Sequence, residues 1–207
     1  MKKVLLYFVF TLFCLINTQI ASAIIIDIVP TSQNLQTGDA FDVDVVVSGL
    51  SAVNEIVSTY DFDISYDTSI LSATAVSFGQ YLDDLFVPGF SFQDAILTTP
   101  GIVDFAELSL LSDQELATQQ PDSFLLASLS FQAVGVGISQ LLFVSDPVGG
   151  IDVKGRNYSP LTVDVTGTQV TVSPAASVPE PNTFLLMLIA LIALPLIKKN
   201  RVTERAL

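Results

Sequence analysis

Side chains able to do covalent chemistry are nearly missing from this 207-residue chain, which has no histidine, no tryptophan and one cysteine, Cys14. Nucleophilic hydrolysis of the Ser-His-Asp or Cys-His kind needs an imidazole base, and the usual zinc ligand sets need imidazole or thiolate, so both are excluded by inventory. Carboxylates remain, in plenty. A glycosidase uses two of them about 5–9 Å apart across a cleft, but abundance does not place a pair. The absence of tryptophan also removes a common ring for stacking sugars, so a carbohydrate-active enzyme is the lesser alternative and no catalytic residue is assigned. Calcium is the more reasonable cofactor for these oxygens. Asp83-Asp84, or Asp146 with Asp152 near Gly149-Gly150, could supply ligands. No EF-hand spacing or acidic repeat accompanies them, and solvated strand faces account for most of the aspartates, so the expected cofactor is none.

Charge narrows the partners further. From Ile24 to Val178 there are nineteen Asp and Glu against Lys154 and Arg156, a formal balance of −17. Such a field repels nucleic acid, whose binding rests on Lys and Arg neutralising phosphates, and it keeps a protein soluble.

The elements that must carry these residues are strands. Phe41, Val43, Val45 and Val47 alternate with Asp42, Asp44 and Val46, and Tyr60, Phe62, Ile64 and Tyr66 alternate with Asp61, Asp63 and Ser65. A period of two puts each apolar set on one sheet face. Leu125, Ala127, Leu129, Phe131 and Ala133 are expected inside on a third strand, opposite Leu126, Ser128, Ser130 and Gln132. Segments 24–29, 70–78, 102–110, 138–144, 161–165 and 169–172 bring the candidates to nine, separated by turns such as Thr37-Gly38-Asp39, Pro100-Gly101 and Ser159-Pro160. Short strands spaced this way predict an all-β antiparallel sandwich over residues 24–173. Helical periodicity is hard to find. Around Pro88-Gly89 the strand pattern fails, and Phe86, Phe90 and Phe92 there either form an exposed aromatic contact or fold over the sandwich edge; the second is the expectation.

Both ends have a different character. Lys2-Lys3, an apolar run from Val4 to Ile16 broken by Thr11, and small residues at Ala21-Ser22-Ala23 read as a cleaved signal peptide, residues 1–23. Cys14 follows Leu12-Phe13 rather than the small residue that lipoprotein processing uses. Residues 174–183 are a proline-rich linker, 184–197 an apolar segment expected as one short transmembrane helix, and 198–207 a basic tail with Lys198, Lys199 and Arg201. Fourteen helical residues reach about 21 Å against a hydrocarbon core of about 30 Å. The basic cluster favours the cytoplasm, leaving the body outside.

Val178-Pro179-Glu180-Pro181, an apolar helix and a basic cluster, in that order, resemble the PEP-CTERM sorting signal of Gram-negative bacteria. The resemblance implies that Pro179, Glu180 and Pro181 are read by an exosortase, a membrane-embedded transpeptidase, and that Lys198, Lys199 and Arg201 halt export. It implies membrane anchoring before processing and a final place in the cell envelope or an exopolysaccharide matrix. Asn182-Thr183 stands where Ser-Thr is more usual.

The body resembles the cohesin domain. The residues that carry this are Thr37-Gly38-Asp39 leading into 41–47, then the turn Tyr66-Asp67-Thr68-Ser69-Ile70-Leu71, with Thr68 where that family has proline. Gly101-Ile102-Val103-Asp104-Phe105, 124–133 and 137–143 follow as its later strands. What this implies is a nine-stranded jelly-roll sandwich that binds a protein partner, in the founding members a dockerin, across one sheet face. The expected function is therefore a surface-displayed, non-catalytic binding module for a surface protein or polysaccharide. A passive matrix or envelope component with no specific ligand is the alternative.

Overall fold

A computed structural model describes residues 23–145 and 151–175, together with Met187. Twelve strands occur among them: Ile24–Pro30 (β1), Asn34–Gln36 (β2), Ala40–Ser48 (β3), Thr59–Ser65 (β4), Leu71–Phe78 (β5), Ser91–Ile96 (β6), Ile102–Ser109 (β7), Phe124–Ala133 (β8), Gly137–Val144 (β9), Asp152–Lys154 (β10), Val163–Thr166 (β11) and Thr168–Ser173 (β12). They form two sheets, one ordered β11-β1-β3-β8-β5 and the other β2-β12-β9-β4-β7-β6 with β10 on the flank of β4.

Alternation decides which face is inside. Phe41, Val43, Val45 and Val47 of β3 are buried against Tyr60, Phe62 and Ile64 of β4 and Val103 and Phe105 of β7, as the period-two pattern predicts. Phe62 sits among Tyr60, Phe105 and Phe143 with ring centroids 5.3, 5.8 and 5.3 Å away. Burying a side chain of this size is worth roughly 1.5–3 kcal/mol, so a core of this kind is built without cross-links.

Four expectations need correction. The described strands number twelve rather than nine. The extra ones, β2, β6 and β10, are too short or too exposed to show an alternating pattern. Two edge pairings, β1 with β11 and β2 with β12, are parallel, because distant segments return to the sheet edges. On β8 the pairing with β3 shifts between Val45 and Val46, which face Ala127 and Leu125. That bulge turns Leu126 into the core and leaves Leu125 half-buried, since one extra residue in a strand inverts the faces beyond it. The last miss is a helix, Asp113–Gln119, opened by a capping box in which Ser112 and Glu115 bond each other's backbone N–H.

The sorting-signal residues Val178–Pro181, the segment 184–197 apart from Met187, the cluster Lys198, Lys199 and Arg201, and residues 1–22 including Ala21 lie outside the described residues. Ala23 is described and exposed, just ahead of β1. Gly49 packs on it with φ +86°, where a Cβ would stand 2.6 Å from the Ala23 carbonyl oxygen, so the turn after β3 requires glycine twice over. Among the described residues no helix is long and apolar enough to cross a membrane.

Candidate functional site

The outer face of the larger sheet is organised in rows set by strand register. One row runs Phe92, Leu108, Thr59, Lys154 across β6, β7, β4 and β10. The next runs Asp94, Ala106, Asp61, Asp152, and the next Ile96, Asp104, Asp63, Val144, now ending on β9. Ile102, Ser65 and Leu142 follow. Between the β6 wall, Phe92 and Asp94, and the β10 wall, Asp152 and Lys154, lies a groove of about 330 Å³ floored by Ala106 and Leu108. Lys154 is ion-paired with Asp152 at 2.8 Å.

Apolar side chains stand out on this face where alternation would place polar ones. Phe92 is 65% exposed, Ile138 56%, Leu142 42% and Ile96 41%. On β9 the usual order is reversed: Ile138 faces out while Ser139 is buried, its hydroxyl accepting from the Asp67 N–H at 3.0 Å. By its residue order alone, 138–144 reads as an ordinary strand. The signal available was Ile138 out of phase with Leu141.

Behind the groove, on the inner face, Glu107 is buried in register with Tyr60 and Gln93. Gln93 Nε2 donates to Glu107 Oε1 at 2.8 Å, and the Tyr60 hydroxyl lies 3.1 Å from Glu107 Oε2 and 2.9 Å from the Leu126 carbonyl. One phenolic proton cannot serve both acceptors. Burial raises the Glu107 carboxyl above its ordinary value, against the lowering effect of the bonds from Gln93, Ser91 and Tyr60. Burial, with Glu107 beside it, also pushes the Tyr60 phenol well up.

The acidic pair considered for calcium does something else. Asp83 accepts the backbone N–H of Asp84, Gly89 and Phe90, and Asp84 those of Phe86 and Val87. Burial works to raise the Asp83 carboxyl, but these donors outweigh it and hold it below the ordinary value. The two carboxylates thus build the loop leading to β6. That loop presents Phe86 at 91% exposure and Phe90 at 44%, so the expectation that the phenylalanines fold over the sandwich edge is overturned. The aspartates hold the backbone N–H groups of Phe86 and Phe90 themselves, and the rings are left outside. Asp146, Gly149 and Gly150 lie outside the described residues, and Asp152 is the partner of Lys154. Among the described residues no three Asp or Glu are grouped to hold a metal.

The turn Tyr66–Leu71 closes on Asp67, whose Oδ1 accepts from the Ser69 N–H at 2.8 Å and hydroxyl at 2.6 Å while its carbonyl accepts from Ile70 and Leu71 N–H. Thr68 therefore fills the proline place without loss of the turn.

Comparison with known proteins agrees with this architecture. A family model described as the cohesin domain matches residues 27–138, more than half of the chain. No curated protein matches it. Among solved structures, the cohesin module of a Clostridium perfringens family 33 glycoside hydrolase is 12% identical, with 75% of this chain and 100% of that one covered at TM-score 0.57. A type II cohesin from Acetivibrio cellulolyticus, solved in complex with an X-dockerin, is 12% identical over 72% and 99% of the two chains at TM-score 0.59. A non-cellulosomal cohesin from the archaeon Archaeoglobus fulgidus is 12% identical over 73% and 91% at TM-score 0.53.

Proposed function

The chain belongs to the cohesin domain family, and from that premise we propose that its body docks an extracellular protein partner on the outer face of β6, β7, β4 and β9. Cohesin modules are non-catalytic protein-binding domains, typically extracellular or cell-surface. The observation that carries the choice of face is the exposure of Phe92, Ile96, Ile138 and Leu142 around rows of aspartate. Apolar anchors inside a polar surround are what protein interfaces are made of. A partner with Lys or Arg set against the row Asp94, Asp61, Asp152 meets complementary charge. The dockerin in the Acetivibrio cellulolyticus complex makes a dockerin-type protein the first class to try.

The test uses a photo-crosslinking residue at Ile138 in the exported protein within its own cell envelope. A discrete protein adduct, lost with Leu142→Asp and retained when Thr74 on the outer side of β5 is changed to Asp, supports the reading. An adduct made only of polysaccharide, or none at all, overturns it.

Delivery completes the proposal. Residues 1–23 direct export, with cleavage at Ala21-Ser22-Ala23. The motif Val178–Pro181 is processed by an exosortase while segment 184–197 and the cluster Lys198, Lys199 and Arg201 hold the chain in the membrane of a Gram-negative cell. The module then resides in the envelope or an exopolysaccharide matrix. The ordered succession of motif, apolar run and basic cluster supports this. Intact mass should show the segment after the motif removed in the wild type and retained, with membrane trapping, when Pro179, Glu180 and Pro181 are all changed to Ala. An intact tail in both sinks the exosortase step.

A further inference from the structure

Four strands end the two sheets, and three of them are protected. β2 has three residues and β11 four, and β5 carries a register shift between Ala73 and Ala75 where it meets β8. Short or bulged edges resist pairing with another chain. β6 has none of these devices. It is six residues long and keeps an unbroken register with β7. It contains no proline, lysine or arginine.

The direction of its backbone groups follows from one bond. Leu110 N–H donates to Phe90 O at 2.8 Å, so even-numbered residues of this segment turn their N–H and C=O toward β7. The odd ones, Ser91, Gln93 and Ala95, turn theirs away. Among the described residues nothing pairs with that edge. Phe92, Asp94 and Ile96 stand exposed along the same strand, on the docking face. They form an apolar, acidic, apolar series.

We infer that the β6 edge takes an extended segment of a partner protein as an added strand, with a Lys or Arg opposite Asp94 and apolar residues opposite Phe92 and Ile96. Backbone groups of Ser91, Gln93 and Ala95 supply the ladder, and the directly opposed side chains supply selectivity. Charge decides the occupant. A second copy would bring another body of formal charge −17 against the first, whereas a basic segment is attracted. The edge continues the wall of the groove between β6 and β10, so an added strand widens the same face. This inference deepens the face-docking reading and rests on it for the location, but it has its own readout.

The experiment titrates the full-length protein with a blocked synthetic peptide, Thr-Val-Thr-Lys-Thr-Val-Thr, and follows backbone amides by NMR. The Ser91, Gln93 and Ala95 amides are expected to shift and exchange more slowly. Replacing the peptide lysine by glutamate should weaken binding at least tenfold. Ala95→Pro should do the same, because it removes an outward N–H without breaking the β7 ladder. Leu142→Asp should leave this binding intact while abolishing the face-docked partner, which separates failure of one idea from failure of the other. Equal binding of the two peptides, shifts confined to β9, or concentration-dependent protection of the β6 amides without peptide would each overturn the inference, the last by putting a second copy on the edge.

Discussion

At the scale of residues, the Tyr60–Glu107–Gln93 chain of bonds makes stability depend on pH in an unusual direction. Burial raises the Glu107 carboxyl above its ordinary value of 4.5, so the fold favours the protonated form. The contribution is fully present below the unfolded value and is lost as pH rises through the folded one. Glu107→Gln, which keeps an uncharged side chain of the same shape, should therefore raise stability at neutral pH and leave it nearly unchanged near pH 4. Urea midpoints at the two pH values decide this, and an equal effect at both would refute it. Tyr60→Phe strands Glu107 Oε2 and the Leu126 carbonyl and should cost about 1–3 kcal/mol. Asp67 and Asp83 have the opposite sign. Their carboxyls are held low, Asp67 chiefly by the Ser69 hydroxyl and Asp83 by backbone N–H groups despite burial. What they contribute is present above the ordinary value of 3.8 and disappears as pH falls through the lowered ones. The Glu107 arrangement was not legible in the chain as a string, because Glu107 reads as one more polar residue between Ala106 and Leu108. Its partners are 47 and 14 residues away.

At the scale of elements, the helix Asp113–Gln119 is the instructive miss. Leu116 is its only buried residue, packed with Ile56 and Leu111 in a small cluster of its own, so an amphipathic period has no room to appear. Yet Ser112-Asp113-Gln114-Glu115 is a capping-box sequence, and that signal was there to be read. Ser112→Ala should cost about 0.5–2 kcal/mol. Leu116→Ala should cost about 2–5 kcal/mol, measured by denaturant unfolding, with the larger loss at the buried position. The loop before β6 makes a second elemental prediction. Asp83→Ala removes the acceptor for Gly89 and Phe90 N–H, so hydrogen exchange at those two amides should accelerate while core amides of β3 and β8 stay protected. Equal exchange in the variant would mean that Gln119, which donates to the Tyr81 and Asp83 carbonyls, holds the loop alone.

At the scale of the whole molecule, charge and face act together. A body of formal charge −17 should bind its partner more weakly as salt rises, with the on-rate falling most, since screening acts on long-range attraction. Stopped-flow association at low and physiological ionic strength tests this, and salt-independent rates would count against a basic partner. The strand-rich core is written in the order of residues, because Phe41 to Val47 and Tyr60 to Ile64 can bury one face only by alternating. The sequence also excluded imidazole-based chemistry by inventory, since the chain has no histidine, and it contained the turn at Asp67 that links the body to its family. The rest depended on how the strands pair. Which strands neighbour which is a matter of long-range pairing, and that pairing sets Phe92 beside Leu108 and Asp94 beside Ala106 and Asp61. Local alternation tells inside from outside, but it does not tell a solvated outer face from one that awaits a partner. That distinction arises when the β6–β7 pair is laid beside β4 and β9, which come from distant parts of the chain, and their apolar residues fall on one surface.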